Sequence, residues 1–142
     1  MSEEKCTLFT FLTGNVFAAI LHFLCAVSFW CCLVFPLFSL LLFLVERNPA
    51  ARAACIHTGV ISLTAAVLSA VPVILWLIIR AATHASGAFY VICTVLFTGI
   101  MLIIAVTLLV VEVACAVKSL KGEPVEVPVI TNWVSSIASK LE

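Results

Sequence analysis

A chain of 142 residues that is 65% hydrophobic and 10% charged, with a mean hydropathy of +1.33, lacks the polar residues needed to cover a soluble surface. Its seven basic and seven acidic residues cancel, which excludes the basic surplus that nucleic-acid binding requires. The length holds one domain, spanning 1–142, and the expected fold class is all-α: a polytopic membrane helical bundle of four membrane-embedded helices with a short C-terminal amphipathic surface helix.

The first apolar stretch runs from Leu8 to Val45 without a charge. As one straight helix it would be roughly 57 Å long, nearly twice the hydrocarbon thickness, so it must turn back or bend. One arrangement is a hairpin of segments at about 8–26 and 29–45 joined around Ser28. The other is a single long helix kinked at Pro36, its first turns before Gly14 and Asn15 lying in the interface. The stretch is too long for a signal-peptide core and is expected to be retained. Asn15, Ala18, His22 and Ala26 share one helical stripe, where small residues allow close approach and polar groups bond across it. A packing or partner face is expected there.

The charged turn Glu46–Cys55 contains Arg47 and Arg52, and two further spans follow at about 56–80 and 88–117. Thr58, Ser62, Ala66 and Ala70 repeat every four residues and form a second small-residue face. Pro72, mid-span, frees a backbone carbonyl and bends the helix. Glu112 is the costliest residue in the chain, just inside the end of the last span. It is expected to join Arg47, Arg52, His57 and Lys118 in a charged cytoplasmic cluster, the competing reading being a proton or ion site. Two consecutive spans put residues 46–55 and the C-terminal segment on one face. Arg47, Arg52, Lys118, Lys121 and Lys140 gather there, against Arg80 and His84 opposite, so that face and the C-terminus are expected to be cytoplasmic. Four crossings put the N-terminus there too; three put it outside.

Gly122, Pro124 and Pro128 close the last span. In the tail, 129–142, Ile130, Trp133, Val134, Ile137 and Leu141 fall on one face, which predicts an amphipathic helix on the membrane surface with Trp133 as interfacial anchor.

The seven cysteines, Cys6, Cys25, Cys31, Cys32, Cys55, Cys93 and Cys115, have no metal-ligand spacing and are expected to be reduced packing residues. His22 and Cys25 lie one turn apart, but with Cys31 or Cys32 they make no closed tetrahedral set, so no metal is expected. No cofactor motif and no nucleophile–base set is visible, and no enzymatic activity is expected. The expected role is a non-enzymatic interaction or accessory subunit of a membrane complex. Its partners would be the lipid bilayer and another membrane protein or a second copy. The alternative is an oligomeric pore or protein-translocation component lined by Asn15, His22 and Glu112.

Two local patterns carry a resemblance. One is Pro36-Leu37 followed by an apolar run, Glu46-Arg47-Asn48-Pro49 and Arg52; the other is Ala116-Val117-Lys118-Ser119-Leu120-Lys121-Gly122-Glu123-Pro124 with Pro128 shortly after. Together they resemble the small bacterial helical membrane proteins related to the chloroplast inner-envelope translocon four-helix subunit and the MamF-like magnetosome membrane proteins. The chain departs from that pattern at Ala53, Ala54 and Cys55, and at Val125 and Val127, where aromatic residues are usual. The resemblance implies four crossings in a bacterial inner membrane or its equivalent, both ends cytoplasmic, an accessory or translocation-related role and no catalytic residue.

Overall fold

The computed structural model describes residues 5–7, 9–28, 34–83, 87–126 and 130–141. Cys31, Cys32, His84, Val127 and Pro128, and the side chains of Ile130, Val134 and Leu141, lie outside the described residues. The described chain is all-helical: α1 (Gly14–Val27), α2 (Val34–Val45), α3 (Pro49–Ala82), α4 (Gly87–Leu120) and α5 (Ile130–Leu141).

Helix starts and stops follow local chemistry. Asn48 caps α3, its side-chain oxygen accepting from the backbone N–H groups of Ala50 and Ala51 at 3.0 and 3.2 Å, and Pro49 occupies a first-turn position where no N–H is needed. α4 ends in a Schellman turn: Gly122, at φ 70°, donates to the Ser119 carbonyl while Glu123 donates to that of Lys118. Helix α3 runs through Pro72 without interruption.

α3 and α4, at 34 residues each, are long and apolar enough to cross a membrane. Each is roughly 51 Å long. Just 28% and 22% of their most apolar windows are buried within the protein, so most of that oily surface faces outward. A helix that is apolar all round and uncovered is suited to lipid. α3 has no charged residue between Arg52 and Arg80. Each of those guanidiniums lies over an aromatic ring, Arg52 at 4.4 Å from the Phe43 centroid and Arg80 at 5.3 Å from that of Trp76.

The first apolar stretch holds two separate helices: α1 starts later than the expected 8–26, and α2 lies within the expected 29–45, of which 29–33 are outside the described residues. α1 has 14 residues, roughly 21 Å, and does not reach across about 30 Å of hydrocarbon, while the 12 described residues of α2 span roughly 18 Å. The missing helix before Gly14 is spent on a folded-back loop. Lys5 bridges Thr13, Cys6 N–H donates to the Leu12 carbonyl, and Thr7 N–H donates to Glu46 Oε1 at 2.7 Å. The same Glu46 oxygen accepts from the N–H groups of Arg47 and Asn48, so one buried carboxylate ties the N-terminal loop to the α2–α3 turn. A Cβ on Gly14 would stand 2.3 Å from Asn48 Oδ1, so only glycine lets α1 start against the α3 cap.

These ties bring the start of α1, the end of α2, the start of α3 and the end of α4 to one end of the bundle. α1 lies against both α3 and α4, and α2 lies against α3. The core is Phe17, Leu21, Cys25, Phe35, Phe43 and Cys55 with the alanines between them. Beyond this covered end α3 and α4 continue as a bare pair, joined at the far end where Trp76 Nε1–H donates to Thr94 Oγ1 at 3.2 Å. α5 packs on α3, and its Ile137 borders the groove between α2 and α3.

Candidate functional site

Nine to thirteen ångströms in from the shared end, by about 1.5 Å per residue, the helices carry their buried polar groups at one level. His22 stands eight residues after Gly14, Glu112 eight before Leu120, Thr58 nine after Pro49 and Ser39 six before Val45. His22, Ser39, Thr58 and Glu112 are each 0% exposed. A buried polar group without a partner is costly, so the position of each is set by the bonds it makes.

The bonds join the helices in pairs. His22 Nδ1 meets Glu112 Oε2 at 2.5 Å, linking α1 to α4. The Ser39 hydroxyl lies 2.8 Å from Thr58 Oγ1 and 2.7 Å from the Cys55 carbonyl, linking α2 to α3. The Cys25 thiol reaches the Thr58 carbonyl at 3.8 Å, linking α1 to α3. One turn further along, Ile61, Ala65 and Leu108 close the interior with a purely apolar cluster.

Glu112 thus faces α1, and its partner is a histidine on the first helix rather than Arg47 or Arg52. The reason is the helix order: α1 fills the groove beside Glu112, while Arg52 is turned to α2 over Phe43 and Arg47 is exposed. Lys118 is exposed as well. The expected cluster of Glu112, Arg47, Arg52, His57 and Lys118 is not assembled. His57 is 8% exposed and sits on the wall of a cavity instead.

The stripe on α1 packs inward: Ala18, His22 and Ala26 are buried and Asn15 half-buried. On α3 the small-residue face changes along its length, with Thr58 and Ser62 buried, Ala66 half-buried and Ala70 exposed. Trp133 on α5 is 53% exposed.

The cavity, of about 340 Å³, lies at the shared end. Asn15, Ala18 and His22 form one wall, Ala50, Ala53, Ala54 and His57 the second, and Ser119 with residues 122–125 the third. Among the described residues, no group of three or more histidine, cysteine or acidic side chains is placed to hold a metal ion.

Ser39, Glu46, Asn48 and Ser119 take part in this end of the bundle, though none of them was an expected site residue. Asn48-Pro49 is a readable helix start, and Ser39 is a lone hydroxyl in an apolar run, which in lipid implies an interhelical bond. Outside the helices, Cys6 is 1% exposed, and burial first, then the nearby Glu46 carboxylate, push its thiol above the ordinary value.

The chain matches no protein-family model, no curated protein and no solved structure.

Proposed function

We propose that the chain is a multi-pass integral membrane protein that acts without catalysis as an interaction subunit of a membrane complex. α3 and α4 cross the bilayer. α1 and α2 enter from the cytoplasmic side and return, since α1 is too short to cross and α2 ends beside the start of α1. The Glu46–Asn48 turn and the C-terminal segment share the cytoplasmic face with Arg47, Arg52, Lys118, Lys121 and Lys140. α5 lies at that face with Trp133 toward the headgroups.

One observation carries the interaction reading: the bundle is covered at one end only. Between Gly87 and Thr107 a single residue of α4, Cys93, is buried, and on α3 the small-residue stripe emerges at Ala70. Gly99 has nothing within 4 Å of where a Cβ would stand. Beside it runs a groove of about 360 Å³ lined by Pro72, Trp76, Thr94, Thr98 and Met101, among others. Small residues on uncovered helices are where another transmembrane helix approaches closely. The apolar cluster of Ile61, Ala65 and Leu108 speaks against a polar path through one protomer.

Cysteines placed at Ala70 and Gly99, with the native cysteines replaced by alanine, should cross-link in native membranes to a second copy or to another membrane protein. Ala70→Leu with Gly99→Leu should abolish that association while the monomer stays folded. Cross-linking no stronger than from exposed Val110 would defeat the proposal.

A further inference from the structure

The cavity at the shared end holds a feature that helix packing does not account for. His22 Nε2 and His57 Nδ1 are both buried, both belong to side chains lining this cavity, and neither has a hydrogen-bond partner among the described residues. Buried polar atoms left in this way call for a ligand, an ion or solvent. We propose that the cavity is a binding site for a small protonated primary amine.

With Glu112 ionised, the imidazole nitrogen beside it, Nδ1 of His22, carries the proton of the bond between them. That bond holds the ring's orientation, and in the neutral ring Nε2 keeps its lone pair as an acceptor. His57, Asn15 and Ser119 place further side chains able to accept a hydrogen bond in the same walls.

Charge decides between a neutral donor and a cation. Glu123 lines the cavity and Glu112 stands behind His22, whereas no lysine or arginine is among the lining residues. Arg52 is held over Phe43, and Lys118, Lys121 and Glu123 are all exposed, with Glu123 in the lining and the two lysines outside it. A concave site with one sign of charge and low-dielectric walls concentrates counter-ions. Ala18, Ala50, Ala53, Ala54, Pro124 and Val125 supply those walls. An ammonium offers three donors and a compact charge, and its bonds to such acceptors are charge-assisted. At about 30 Å³ for each water-sized volume, the space suits a molecule of roughly ten non-hydrogen atoms.

The amine can come from solution or from the headgroup of phosphatidylethanolamine, since the cavity lies at the end of the bundle assigned to the cytoplasmic interface. The full chain, labelled with 15N-histidine in phosphatidylcholine nanodiscs, is titrated with ethanolamine, with ethylene glycol and glycolate as neutral and anionic controls. Ethanolamine should shift the ring nitrogens of His22 and His57 saturably, leave His84 unmoved, and have no counterpart in either control. His57→Gln and Glu123→Gln leave the His22–Glu112 pair in place, so they test the site without endangering the fold; each should weaken ethanolamine binding about tenfold or more. The same shifts on replacing part of the lipid with phosphatidylethanolamine, without added amine, would identify the headgroup as source. Shifts with free ethanolamine alone would identify a soluble amine. An absent or non-saturable response, an equal response to glycolate, an unaffected Glu123→Gln variant, or shifts produced by Zn²⁺ but not by the amine would overturn the proposal.

Discussion

Removing either member of the His22–Glu112 pair should cost more than removing both. Each residue is 0% exposed, and the two side chains are in direct hydrogen-bond contact. In His22→Leu the carboxylate keeps its place between α1 and α4 but loses its donor. In Glu112→Leu the imidazole loses its acceptor. Breaking a buried pair from one side costs about 3–5 kcal/mol, whereas an apolar replacement of both partners is close to neutral. The double variant should therefore be more stable than either single one, with a coupling energy of at least about 2 kcal/mol. Reversible unfolding of the four proteins in mixed detergent–lipid micelles measures it. A parallel cycle of Glu112→Leu with Arg52→Gln should be additive within about 0.5 kcal/mol, because Arg52 faces Phe43 on the other side of α3. Additivity in the His22 cycle, or coupling that appears in the Arg52 cycle instead, would refute the helix order described above.

Three further outcomes are expected. Gly14→Ala places a methyl 2.3 Å from Asn48 Oδ1 and should break the α3 cap, lowering stability by about 1–2 kcal/mol in thermal unfolding, with Asn48→Ala costing about 1 kcal/mol and the two losses not adding. Cys6 should react slowly with iodoacetamide in the folded protein and quickly after unfolding, and its folded-state rate should still be rising with pH above 9, because its thiol titrates above that ordinary value; fast labelling at pH 7.5 would contradict its burial. In a background with the native cysteines replaced by alanine, cysteines at Arg47 and Lys121 should label from one side of sealed vesicles and a cysteine at Arg80 from the other. Labelling of Arg47 and Lys121 from opposite sides would reject the two-crossing arrangement.

Much of the framework was readable without coordinates. The uncharged run between Arg52 and Arg80, and the one that ends at Glu112, are long enough that a helix is the form that satisfies their backbone in an apolar medium. Gly122 marks a stop because capping is decided within a few residues, whereas the turn expected to run through Cys55 ends at Asn48, whose side chain caps α3. The inward packing of Ala18, His22 and Ala26 could be anticipated from their spacing on one stripe.

Local pattern did not extend to which helix stands beside which. The spacing of Glu112 shows that it must face protein, yet Arg47, Arg52 and His22 were all available partners in chain order. The choice of His22 required α1 to occupy the groove between α3 and α4. Nor could periodicity shorten α1, since the residues before Gly14 are as apolar as those after it; a bond from Thr7 to Glu46, 39 residues away, holds them out of the helix. Hydropathy, periodicity and capping act over a few residues and are written in the sequence itself, whereas the pairing of buried polar groups depends on the order and rotation of whole helices, which packing alone decides.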